Sequence, residues 1–311
     1  MNIKSGTIKR FLKIYNNKGT QHSRLYTFSM RIGFVGAGKV GSSLALYFYS
    51  HQCEISGFYS KTEEHAVEIA DKTESHAFTD INSLAERSEL LFITVPDDDI
   101  ASVFREISSD NLKDTIVCHC SGSLTAKEAF GEDDNALNIR KISLHPLCAV
   151  DSKESHSEFD KVFFFLEGNP EATELMMNFL KGLSLNVRII SSDVKAKYHL
   201  AASVVSNQVV ALINGGVELL EQCGFTKEDS LEALAPLIKG NIEHVLKNGP
   251  VQALTGPIQR GDINTVSKHI LSLDTYSDRL LYTLLSRKLL QIAKIKNPDR
   301  DFSKLDKYLS E

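Results

Sequence analysis

Lys195, His199, Ser203 and Asn207 recur at every fourth position of KAKYHLAASVVSN, residues 195–207, in a run that is otherwise apolar. On an ideal helix each four-residue step turns about 40°, so the four side chains share an arc of about 120° over roughly 18 Å of axis. An amine, an imidazole, a hydroxyl and an amide on an inward face need partners, because burying such groups unpaired costs about 1–3 kcal/mol each. Acid–base chemistry on a small molecule uses groups of this kind: a donor at the reacting atom and a second group to fix the far end. No single small molecule spans the whole stripe, so two or three of the four are expected at a site and the rest in structural bonds.

Further polar groups follow short apolar runs. ISL is followed by His145-Pro146, whose proline holds the histidine in extended geometry. TIVC is followed by His119-Cys120-Ser121-Gly122-Ser123, and LLFITV by Pro96-Asp97-Asp98. His119 lies within its apolar run and reads as a structural histidine. His145 and His199 are the proton donors of first choice, Lys195 a charge-stabilising partner, and Ser121, Ser203 and Asn207 positioning groups. Arg260, in the turn-rich ALTGPIQRGD, suits a carboxylate or phosphate on a substrate; the competing reading pairs it locally and makes Asp262 a helix cap. The other histidines have no supporting constellation, and no second pair completes a zinc site around Cys118 and Cys120, so metal binding is not expected.

These groups need a scaffold, and the pattern from Arg31 onward supplies one. RIGFV, EISGFY, LLFITVP, TIVCHC, ISLHP, VFFFLEG and LNVRIIS read as strands separated by helical stretches, the alternation of an α/β sheet covered on both faces. The first strand runs into GAGKVG, which opens a helix. In that context Gly36 makes the tight turn, Gly38 lets a pyrophosphate approach the backbone and Gly41 lets the helix pack on the sheet. Lys39 and Val40 belong to the same phosphate-binding turn, and Val95 and Pro96 to the path of the dinucleotide at the end of the third long strand. A P-loop reading of Gly33 to Lys39 fails because Val40 has no hydroxyl for magnesium.

The end of the second strand bears on the cofactor. An NAD site places an acid there for the ribose hydroxyls; this chain has Tyr59-Ser60-Lys61-Thr62, hydroxyls and a cation. Ser60 and Lys61 therefore suit a 2′-phosphate, and NADP is expected over NAD. In open sheets of this type ligands gather at the carboxyl ends of strands, which places His145 and the Ser121 loop near the reacting end of such a cofactor.

After Ser192 the strand pattern stops and helices follow. The expected organisation is a basic leader over 1–29, disordered or a non-native start, a dinucleotide-binding domain over 30–191 and a helical substrate and dimerisation domain over 192–311. The leader holds six bases and no acid; residues 31–311 hold 29 bases against 40 acids, a net charge of −11 that argues against nucleic acid as a partner. No run was expected to reach the length of a membrane span. Five scattered cysteines, an odd number, fit a reducing compartment, hence a cytoplasmic protein.

Taken together, GFVGAGKVGSSLA, FYSKT, ITVPDD, HCSG, SLHPL, KAKYHLAASVVSN and ALTGPIQRGD resemble a family of bacterial Rossmann-like proteins with a C-terminal domain of unknown function, labelled NADP-dependent or deazaflavin-dependent oxidoreductases. The resemblance spans about residues 30–295. It implies a Rossmann domain followed by an all-α domain of the 6-phosphogluconate dehydrogenase-like type that commonly dimerises, as in pyrroline-carboxylate reductases, ketopantoate reductases and prephenate dehydrogenases. SLHP looks like the histidine-proline motif of the last of these, which implies His145 as donor with Ser121 or Ser123 as its partner. The glycine of that motif is absent from HPLCAV, which argues against prephenate as substrate. The expected activity is hydride transfer to or from a small carbonyl, imine or hydroxy compound bearing an anionic group; the alternative is a dinucleotide-binding sensor without turnover.

Overall fold

The computed structural model describes residues 30–310, together with the backbone of two short strands, Leu12–Lys13 and Thr27–Phe28, that pair antiparallel. The reading of 1–29 as a disordered or non-native leader otherwise lies outside the described residues. From Arg31 the chain alternates strand and helix. Strands β1 (Arg31–Val35), β2 (Glu54–Tyr59), β3 (Ala77–Phe78), β4 (Leu90–Ile93), β5 (Ile116–His119), β6 (Arg140–Pro146), β7 (Phe163–Gly168) and β8 (Asn186–Ile189) form one sheet in the order β8-β7-β6-β5-β4-β1-β2-β3. Neighbours are parallel except β6 and β7, which run antiparallel with His145 opposite Phe165.

Helices α1 (Lys39–Ser50), α2 (Glu63–Lys72), α3 (Ile81–Glu86), α4 (Asp97–Glu106), α5 (Ala126–Phe130) and α6 (Pro170–Gly182) occupy the connections. Successive strand residues alternate between two apolar clusters: Ile32, Phe34, Leu90, Phe92, Ile116 and Cys118 in one, Val35, Leu91, Ile93 and Val117 in the other. Both faces of the sheet are thus packed, which is why its strands read as continuous apolar runs. Phe34 stacks between Phe58 and Phe92 at centroid distances of 5.3 and 5.1 Å, and such aromatic pairs add about 0.5–1.5 kcal/mol beyond burial.

The chain divides into two compact units between Ser206 and Asn207, beyond the boundary expected at 191. The reason is local: α7 (Lys195–Val205) is anchored to the sheet through its first residue, whose amine reaches Ser143 on β6 and Glu167 on β7. The second unit is helical among the described residues, with α8 (Asn207–Gln222), α9 (Lys227–Ala253), α10 (Pro257–Arg260), α11 (Ile263–Leu271), α12 (Tyr276–Lys296) and α13 (Ser303–Tyr308). Thr226 caps α9 by accepting from the Asp229 amide, and Gly249 interrupts that helix with φ 77°.

A small core of Ile258, Val266, Leu290, Phe302 and Leu305 holds the C-terminal helices together. Outside it, α8, α9 and α12 expose many large apolar side chains, with Leu237 70% and Leu246 81% accessible. Contrary to expectation, the stretch Ser192–Gln222 is by length and composition long and apolar enough to cross a membrane. Its helix is broken at Ser206, however, and its N-terminal part buries a lysine against the sheet.

Candidate active site

The three glycines of GAGKVG occupy three different environments. Gly36 has φ +101°, a conformation open to glycine and costly for other residues, and its amide donates to the Tyr59 carbonyl at 2.7 Å, tying the ends of β1 and β2. At Gly41 an added Cβ would lie 2.4 Å from Thr94 Oγ1 and 2.7 Å from the Gly36 carbonyl oxygen, so α1 packs on the turn only because the side chain is absent. At Gly38 an added Cβ would meet nothing within 4 Å. Gly38 is the N-cap of α1, no side chain caps the helix, and its first turn holds no acid. The leading amides of α1 therefore face open space with the electrostatics that favour an anion.

Beside this turn lies a groove of about 200 Å³ lined by Gly36, Gly38, Ser60, Lys61, His65, Val95 and Pro96, among others. Ser60, Lys61, Val95 and Pro96 line one groove with the glycine turn, and Asp99 and Glu106 add acids on the α4 side. Lys39 is exposed at the helix start, whereas Val40 is half-buried and packs on the core. In the turn Ser60-Lys61-Thr62 the Thr62 amide donates to Ser60 Oγ at 3.3 Å, and the Thr62 carbonyl accepts from the His65 amide at 3.2 Å. The open phosphate cradle, the uncapped helix and a cation at the second strand end fit a dinucleotide with a 2′-phosphate.

His145, Tyr198 and His199 gather near the carboxyl ends of β5 and β6. His145 Nδ1 hydrogen-bonds the Tyr198 hydroxyl at 2.7 Å, and the His145 and His199 rings lie edge to face with centroids 6.0 Å apart. Both imidazoles abut Gly122: a Cβ there would lie 2.8 Å from His145 Nε2 and 2.4 Å from His199 Nδ1. His199 Nδ1 is buried without a hydrogen-bond partner in this arrangement. Burial, reinforced by the positive fields of His199 and Lys195 and opposed by Asp97, lowers the His145 pKa to about 4, so the ring is uncharged at neutral pH. Burial pushes the Tyr198 phenol well above its usual range. The pair is a neutral imidazole held by a protonated phenol.

Other expected site residues are placed differently. Lys195, expected to stabilise charge on a substrate, is 1% exposed; its amine donates to Ser143 Oγ and, at 3.4 Å, to Glu167 Oε2. It is a buried anchor. Ser121, expected at the chemistry, commits its hydroxyl to Asp97 Oδ2 at 2.6 Å and accepts from the amides of Ser123 and Leu124; it shapes the loop that carries Gly122. Asn207 lies past the break at Ser206 as the first residue of α8, so the stripe is not one helical face. Ser203 is half-buried on α7, and Arg260 is exposed in the second unit beside Asp262, which caps α11 by accepting from Thr265. His119 is fully buried, accepts the Ser121 amide on Nδ1 and, chiefly through burial, has its pKa lowered to about 3; it is structural, as read.

Sequence reasoning missed Tyr198 and Glu167. Tyr198 lies three residues after Lys195, on the same helical face as a four-residue step would be, and that spacing was the available signal. Glu167 sits inside the apolar run VFFFLEG, where an acid needs a buried partner.

The sheet, the glycine turn and the helical unit together are the architecture of a Rossmann-like domain followed by a helical region. Residues 31–122 match the family described as NADP oxidoreductase, coenzyme F420-dependent, and residues 162–289 match a domain of unknown function, DUF2520; the chain joins a Rossmann domain of the first kind to the second. No curated protein matches it. Among solved structures, a presumed NADP oxidoreductase from Bacteroides fragilis is 26% identical, with TM-score 0.67 over 85% of this chain and 98% of that one. Two more distant structures share the fold: a pyrroline-5-carboxylate reductase from Coxiella burnetii (16% identity, TM-score 0.52, 91% and 99% covered) and a reductive aminase from Aspergillus terreus in complex with NADPH (13%, 0.55, 91% and 93%).

Proposed function

We propose that this protein binds NADP in the groove at Gly36–Gly41 and Ser60–Lys61 and transfers hydride to or from a small carbonyl, imine or hydroxy compound. The observation that carries the reading is the convergence of His145 and His199 on Gly122, with Tyr198 bonded to His145, at the strand ends of the sheet that also holds the glycine turn. The bound nicotinamide supplies or accepts the hydride. The chain's part is to hold the substrate heteroatom and move its proton. His145 Nε2 is the face of the ring not used by Tyr198, and an uncharged imidazole is suited to accepting a hydroxyl proton or hydrogen-bonding a carbonyl oxygen. Tyr198, on Nδ1, fixes the ring's orientation.

The exposed apolar faces of α8, α9 and α12 suit association with a second copy, giving a homodimer through the helical unit, and five unpaired thiols suit the cytoplasm. The first test is calorimetric titration with NADPH and NADH in parallel, followed by a screen of keto, imino and hydroxy acids for change in NADPH absorbance. NADPH should bind much more tightly, and His145→Ala should lose turnover while retaining that affinity. Binding of neither nucleotide defeats the reading.

A further inference from the structure

The most elaborate polar cluster in the first unit lies behind the reacting groups. Glu167, on β7 and 1% exposed, accepts from the Ala126 amide at 2.9 Å, Ser143 Oγ at 3.0 Å and Ser192 Oγ at 2.6 Å, and from the Lys195 amine at 3.4 Å. Lys195 is the first residue of α7, and its amine also donates to Ser143. One carboxylate thereby joins the N-terminus of α5, strand β6, the approach to α7 and α7 itself. Ser143 lies two residues before His145 on β6, and Lys195 lies three and four residues before Tyr198 and His199. A buried ion pair is weak evidence for stability, since desolvation offsets its attraction. What it does supply is geometry: only one placement of α7 satisfies both the amine and the carboxylate.

We propose that the Lys195–Glu167–Ser143 cluster is a positioning device that locks α7 against β6, so that Tyr198 and His199 meet His145, and that Lys195 itself touches no substrate. This rests on the reading of His145 and Tyr198 as the proton-handling pair. If the lock is removed, Tyr198 leaves Nδ1 and His145 becomes hydrated. The groups facing His145 are Tyr198, His199 and Lys195 on α7, Asp97 on α4 and His119 on β5, with Cys148 acting on Tyr198. Loss of Lys195 alone would change His145 by removing a charge as well as by moving the helix. Lys195→Met combined with Glu167→Gln leaves neither charge buried without its partner but still removes the Lys195 field at His145, so the geometric effect by itself is read in Ser143→Ala, which keeps both charges.

The experiment is an NMR titration of the His145 ring in the cofactor-free full chain, with Tyr198→Phe as calibration for a lost phenol. The wild-type midpoint should lie near 4; the double variant should move up toward the ordinary 6.5 and resemble Tyr198→Phe. Ser143→Ala, which keeps both charges, should move it part of the way. A folded double variant that keeps the wild-type midpoint overturns the proposal. If the double variant does not fold, an unchanged midpoint in Ser143→Ala overturns it equally. The readout needs neither nucleotide nor substrate: absence of NADPH binding would defeat the functional reading and leave this result standing, while NADPH binding with unmoved midpoints would defeat the positioning role alone.

Discussion

At the scale of single residues, the proposed preference for NADP rests on Lys61. Its side chain is exposed beside the groove, and a charge-assisted contact to a phosphate contributes about 1.5–3 kcal/mol, or roughly 10–150-fold in affinity. Lys61→Glu should raise the NADPH dissociation constant by about that factor and the NADH constant by far less; parallel calorimetry checks it, and equal changes would remove Lys61 from the site. Residue types in the groove were legible because the glycine motif and the strand end are local features. The reacting groups were legible only in part. His145 and His199 stood out by type, yet the phenol that orders His145 was passed over, and Lys195 as a charge-stabilising group and Ser121 as a positioning group were set beside a substrate because sequence does not reveal that Glu167 and Asp97 already occupy them.

At the scale of elements, the junction of β1, the glycine turn and α1 is tightly constrained. Gly41→Ala sets a methyl against Thr94 Oγ1 and the backbone oxygen of Gly36, an overpacking worth about 1–3 kcal/mol. The melting temperature should fall, and NADPH affinity should fall with it because α1 is displaced from its cradle; scanning calorimetry and nucleotide titration measure the two. Strand and helix alternation was readable from apolar runs and turns. The antiparallel step between β6 and β7 was not, because each strand is apolar whichever way it runs. The second boundary was misplaced for a related reason: α7 looks like the first of a series of helices, and only the long-range bond from Lys195 to β6 and β7 assigns it to the sheet.

At the scale of the whole molecule, two buried imidazoles make the first unit sensitive to acid. His145 and His119 have folded pKa values of about 4 and about 3, below their unfolded value of 6.5. The unfolded chain therefore binds more protons between pH 6.5 and those values, so stability is present above pH 6.5 and is lost as pH falls toward 4, by an amount on the order of a few kcal/mol. Melting temperatures across pH 4–7 should fall steadily on the acid side, and His145→Gln with His119→Gln should flatten that slope. The apolar faces of the second unit make a separate prediction: sedimentation should give a dimer, and Leu237→Glu with Leu246→Glu should shift it to a monomer with unchanged NADPH affinity per chain. Finally, the turn Ser60-Lys61-Thr62 follows β2 at the edge of the groove, with Lys61 and Thr62 exposed. On the proposed reading, the choice between the two nicotinamide coenzymes then lies in side chains at the surface, which can be exchanged while the sheet beneath them stays as it is.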